Sequence, residues 1–180
     1  MIIEQRTKEL NIKNEELFKL SITDKLTGLY NRVKLDSVLQ ENMSLSLRYG
    51  NIFSVIIIDI DFFKKINDNF GHQVGDDVLK ECSYILSQNI RNVDTLGRWG
   101  GEEFLVVCPE TLKDGAKDLA IKLNKAIKLH KFSTYPHSVT ISVGVASCSV
   151  NDLNYDDIIS NADKALYEAK NNGRDRVEIF

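Results

Sequence analysis

The sequence predicts an α+β domain with a central, mostly antiparallel sheet flanked by helices, of the ferredoxin-like or polymerase-palm kind. Three observations carry this reading. The β-branched run IFSVIIIDI reads as a buried strand. The paired glycines of WGGEE join two further apolar runs as a hairpin, supplying the backbone freedom that a tight turn demands. Amphipathic helical stretches alternate with these strands, but the hairpin breaks strict β/α alternation and so disfavours a doubly wound parallel sheet. A length of 180 residues suits one domain with a short appendage, and 43% apolar content with only 2 Pro and 10 Gly excludes wholesale disorder and a collagen-like chain.

Residues 1–21 are polar and helix-favouring. Ile3, Leu10 and Leu17 stand at heptad spacing, yet Thr7 and Asn14 fall where the second apolar seam belongs, so a helix packed on the domain and a dimerising or signal-carrying linker helix both stay open. Residues 51–60 form the first strand, ending where Asp59 and Asp61 appear. A helix starts at Asp61 in FFKKIND, and a second over 74–90 carries Val78, Leu79, Cys82, Ile85, Leu86 and Ile90 at helical spacing. Strands at 93–98 and 104–108 flank the glycines. An amphipathic helix over 112–129, a strand over 139–147, a long helix over 155–170 and a short strand over 177–180 complete a βααββαβαβ order. The segment between the leading helix and Asn51 receives no element.

With 23 Lys+Arg against 26 Asp+Glu, the formal charge of -3 gives no general basic field to draw in nucleic acid. A polyanionic ligand must be held locally, by a few cations or a metal. Three widely spaced cysteines, Cys82, Cys108 and Cys148, form no CxxC pair, and an odd number cannot close completely into intrachain disulfides; this predicts a reducing, cytoplasmic setting. The apolar run at 55–58 is cut off by aspartates, and MIIEQRTKEL lacks an export pattern, so neither a membrane span nor a signal peptide is expected.

Asp59 and Asp61 end a strand, and Glu102 and Glu103 occupy a hairpin that can pair beside it, so three or four carboxylates can meet in a small volume. Crowded carboxylates repel, and a divalent cation relieves the repulsion; Mg²⁺, with Mn²⁺ as a substitute, suits carboxylates shared with phosphates. The bland alternatives are Asp61 as a helix N-cap and Glu103 as a solvated turn residue. Lys64 and Lys65 lie in the first turn of a helix, a place for phosphate oxygens. Lys170 and Arg174, around Gly173, either complement a helix C-terminus or bind phosphate. Asn67 and Asp76 are a turn residue and an N-cap, or readers of a guanine edge, whose two N–H donors one carboxylate can accept. His72 reads as structural, and no Ser/His/Asp or Cys/His constellation is evident.

Taken in order, DKLTGLYNR, DIDFFKKINDNFGHQVGDDVL, GGEEF and DKALYEAKNNGRDRV resemble the motifs of the GGDEF-domain family, the diguanylate cyclases, over residues 22–180. The resemblance implies a nucleotidyl-cyclase version of the palm fold that joins two GTP molecules into cyclic di-GMP and releases two pyrophosphates. It implies Mg²⁺ ligands at Asp59, Glu102, Glu103 and the Ile60 carbonyl, and close nucleotide approach at Gly100 and Gly101. Asn67 and Asp76 become guanine readers, and Lys64, Lys170 and Arg174 neutralise the β- and γ-phosphates. Because each domain presents one GTP, a homodimer with antiparallel half-sites is implied. Arg91 and Asp94 in RNVD match the family's product-inhibition site, where a turn salt bridge is the alternative. The leading helix suggests an upstream sensor domain missing from this chain.

Two competing functions are a catalytically silent module that binds GTP or cyclic di-GMP and signals by contact, and a different palm-type cyclase or polymerase without guanine selectivity. Turnover of GTP excludes the first, and competition by ATP as good as by GTP supports the second.

Overall fold

The protein was analysed as a computed structural model that describes residues 6–8, 13, 18–149 and 151–180. The heptad positions Ile3, Leu10 and Leu17 lie outside the described residues. Ten elements follow Tyr30: α1 (Arg32–Tyr49), β1 (Phe53–Ile60), α2 (Phe63–Phe70), α3 (His72–Asn89), β2 (Thr95–Gly100), β3 (Glu103–Pro109), α4 (Lys113–Leu129), β4 (Ile141–Ser147), α5 (Tyr155–Asn171) and β5 (Val177–Ile179).

The strands form one sheet of order β2-β3-β1-β4-β5. β1 pairs antiparallel with both β3 and β4, β2 pairs antiparallel with β3, and only β5 joins parallel, beside β4. The predicted α+β architecture with a mostly antiparallel sheet is what the chain adopts. Every residue of β1 is buried, because helices cover both faces. Strand alternation sorts its side chains: Ile56, Ile58 and Ile60 enter a core with α2, α3 and α4, while Phe53, Val55 and Ile57 enter a second core with α1 and α5. Burial on both faces explains why β1 is a continuous apolar run rather than an alternating one.

The helix α1 is the element that sequence reading passed over. It buries Leu35, Val38, Leu39 and Met43, but Val33, Leu45, Leu47 and Tyr49 stay exposed, so no single apolar stripe stands out. Its end signals are clear in retrospect. The Asn31 side chain accepts the Lys34 N–H, and Gly50, at φ 72°, closes the helix in the left-handed conformation. The helix predicted from Val74 begins two residues earlier, at His72. Asn67 and Asp76 both lie inside helices, which removes the turn and N-cap roles considered for them.

All three cysteines are free, with Cys82 and Cys108 buried among core side chains. Among the described residues no helix is long and apolar enough to cross a membrane.

Candidate functional site

Asp59 shares its strand parity with Ile57, so it points to the sheet face covered by α5. There it is 7% exposed and its Oδ2 receives the Lys170 ammonium at 2.8 Å. Glu103 is its direct cross-strand partner, which puts two carboxylates on the same face at adjacent positions. Burial pushes the Asp59 carboxyl above the ordinary aspartate range; Lys170 pulls it back, and Glu102 and Asp61 add to the rise. Glu103 is also pushed up, first by burial and then by Asp59, with Lys170 opposing. Asp163 of α5, which sequence reading did not single out, adds to that rise.

The backbone N–H of Ile60 donates to the Glu102 carbonyl at 3.3 Å, which ties the hairpin turn to the end of β1. Among the described residues no three His, Cys, Asp or Glu side chains converge closely enough to hold a metal ion, so the expected meeting of three or four carboxylates is not seen. Lys170 is the counter-charge present at the Asp59 carboxylate. The donors themselves are hard oxygens, and the raised carboxyls of Asp59 and Glu103 are groups that a divalent cation would relieve; in chemistry the set fits Mg²⁺.

Asp61 differs from expectation. It does not cap α2, whose N-terminal residue Phe62 takes the left-handed conformation without a side-chain cap. Its carboxylate is buried and accepts from Thr140 Oγ1 at 2.7 Å, Ser142 Oγ at 2.6 Å and the Asp175 N–H at 3.0 Å. These donors lie far along the chain, so no local pattern announces them. Satisfying a buried carboxylate outweighs capping a helix that begins at the surface.

The glycine pair works by omission rather than by unusual dihedrals, since neither Gly100 nor Gly101 has a positive φ. A side chain at Gly101 would meet nothing within 4 Å, and one at Gly100 would press on Glu103 Oε2 at 3.3 Å. The turn is therefore open to close approach. Asn67 packs against Gly75, where a methyl group would collide with its amide oxygen; the closeness of α2 and α3 brings Asn67 beside the residue preceding Asp76. Lys64 is exposed on α2.

Arg91 and Asp94 form a closed turn. Arg91 Nη2 reaches Asp94 Oδ1 at 2.7 Å, its Nε and backbone N–H donate to Oδ2 at 3.1 and 3.0 Å, and Nη2 also reaches Thr111 Oγ1 at 2.6 Å. The Asp94 side chain is fully enclosed and committed to Arg91, whereas the Arg91 side chain is 53% exposed. A turn salt bridge is thus present, and it presents the guanidinium.

A second linkage was missed by sequence reading. Arg98 donates through Nη1 to both Asp24 oxygens at 3.2 and 3.3 Å, and through Nε and Nη2 to the Gly101 carbonyl at 3.0 and 2.8 Å. Asp24 in turn accepts from the Thr27 N–H and hydroxyl. One guanidinium therefore joins the DKLT turn to the glycine hairpin. The only sequence signal was that both ends sit within motif segments.

A five-stranded palm-like sheet with a carboxylate–lysine cluster and an open glycine turn at one end defines the structural class. The family profile for the diguanylate cyclase GGDEF domain matches residues 21–176. The chain belongs to this family. It is 37% identical over 179 residues to diguanylate cyclase DgcP of Pseudomonas aeruginosa, covering 98% of this chain and 26% of that protein. It is 38% identical over 164 residues to response regulator PleD of Caulobacter vibrioides, covering 88% and 36%, and 38% identical over 173 residues to diguanylate cyclase A of Treponema denticola, covering 93% and 47%. The chain thus spans 26% to 47% of the length of these curated relatives. Among solved structures, the coiled coil and GGDEF domain of DgcB from Caulobacter crescentus in complex with c-di-GMP superposes with a TM-score of 0.91 at 26% identity, covering 98% of this chain and 95% of that one. The active GGEEF domain of a diguanylate cyclase from Vibrio cholerae gives 0.80 at 37% identity, covering 83% and 96%.

Proposed function

We propose that the chain condenses two GTP molecules into cyclic di-GMP. Each of two steps joins the 3′-hydroxyl oxygen of one GTP to the α-phosphorus of the other, breaks the bond to pyrophosphate and releases one proton. The observation that carries this reading is the Asp59–Glu103–Lys170 cluster beside an open glycine turn at the end of the central strand.

In this reading Asp59, Glu102, Glu103 and the Ile60 carbonyl would hold Mg²⁺ or Mn²⁺. The bound ion would supply Lewis-acid charge that favours hydroxyl deprotonation and stabilises the phosphoryl oxygens. Lys64, Lys170 and Arg174 neutralise the β- and γ-phosphates, Gly100 and Gly101 admit the nucleotide, and Asn67 and Asp76 select guanine by accepting and donating at its edge. One GTP per domain requires two domains face to face, so the working form is a homodimer. The exposed Arg91 guanidinium, held by Asp94, receives cyclic di-GMP as a product inhibitor. Residues 1–21 serve as a linker or signalling helix for an upstream sensor, with the domain in the cytoplasm.

Replacing Glu102 with Gln removes a carboxylate charge at nearly constant shape. Cyclic di-GMP production from GTP should fall about a hundredfold or more, the scale of losing one electrostatic stabiliser of a transition state, with thermal unfolding unchanged. Near-normal turnover refutes the site. Arg91→Ala should leave initial turnover intact and relieve product inhibition; an unchanged inhibition curve by added cyclic di-GMP removes that role.

A further inference from the structure

Backbone strain gathers beside the site. Among the described residues four non-glycine positions have positive φ, and three of them, Phe62 at 57°, Arg174 at 64° and Asp175 at 49°, meet across two connections; Glu110 lies beyond the opposite end of β3. A side chain in this region costs free energy and persists only where its surroundings over-determine it.

The connection after β1 grips the connection after α5 at two consecutive residues. Asp61 holds the backbone, accepting the Asp175 N–H at 3.0 Å. Phe62 holds the side chain, with the Arg174 guanidinium carbon 4.6 Å from its ring centroid and Lys65 Nζ also at 4.6 Å. Phe62 is 51% exposed and belongs to neither core, so burial gives little return for its strained backbone. The ring's visible work is to attract two cations to its electron-rich face. Phe62 stands three residues after Asp59, and Arg174 four after Lys170, so the paired cations border the Asp59–Lys170 cluster.

We infer that Phe62 is a positioning residue, whose ring holds Arg174 and Lys65 ready for the triphosphate of GTP. The inference rests on the proposed GTP reading of the same site. Without the ring, two long side chains must be ordered at binding, and the cost appears as weaker substrate affinity rather than slower chemistry.

The test compares the wild type with Phe62→Leu, Phe62→Gly and Phe62→Tyr, measuring the Kd of a fluorescent GTP analogue and, in parallel, KM and kcat for GTP. Leu keeps apolar bulk without the ring, Gly removes the ring while relieving the strained backbone, and Tyr keeps the ring. Leu and Gly should each weaken binding and raise KM about fivefold, the scale of one lost cation–π contact, with kcat changed far less and Tyr close to wild type. Wild-type affinity and KM in both Leu and Gly variants, in a protein that turns over GTP, overturn the positioning role alone. Loss in all three variants, Tyr included, also overturns it, because shape rather than the ring face would then matter. A wild-type protein that binds GTP but forms no cyclic dinucleotide overturns the catalytic reading and leaves the binding comparison to decide the role of Phe62; one that binds no GTP overturns both.

Discussion

Glu81 shows how single side chains fasten the surface of this domain. Its carboxylate accepts from the Ser133 N–H and hydroxyl and pairs with His130 Nε2 at 2.8 Å, tying the loop after α4 to α3. Partial burial raises the carboxyl, but the bonds from Ser133 and His130 outweigh it and hold Glu81 below the ordinary glutamate range. A glutamate ordinarily titrates near about 4.3. Held lower, it binds fewer protons in the folded chain than in the unfolded one, so its stabilisation is complete above that value and fades as pH falls through the folded value. Glu81→Gln should therefore be less stable than the wild type at neutral pH, with the gap closing below about pH 4. Denaturant unfolding at both pH values checks this, and a gap independent of pH contradicts it. At this scale Asp59, Glu103 and Lys170 were legible in the sequence, because strand alternation and motif order carry local information. The role of Asp61 was not, since its three donors come from residues 79 to 114 positions away.

Among the elements, α5 matters most to the site because it delivers Lys170. It lies directly on β4 at Gly144, where a methyl group would collide with the Ala162 carbonyl and the Leu166 backbone nitrogen. Backbone cannot give way as a flexible side-chain tip does, so the helix must lift. Gly144→Ala should lower unfolding free energy by about 1–3 kcal/mol, the range for overpacking, and should weaken turnover by moving Lys170 from Asp59. Chemical denaturation and a GTP assay measure the two effects, and wild-type values in both would show that α5 rides free of β4. The strands and the hairpin were readable because β-branched runs and paired glycines are strong local signals. By contrast, α1 was hidden by apolar residues around its whole circumference, and the paired glycines suggested special dihedrals where the turn needs only open space.

For the whole molecule, two helical layers bury both faces of the sheet, and the functional groups collect where β1 ends, the hairpin turns and α5 finishes. The fold leaves them at one edge, where each domain would offer a single nucleotide to a facing copy. Such chemistry depends on encounter, since a lone domain carries only half of the reacting pair. The most direct measurement is cyclic di-GMP formation from GTP and Mg²⁺ over a wide range of protein concentrations. The account predicts product whose rate per molecule rises with concentration toward a plateau; no cyclic di-GMP at any concentration would contradict it.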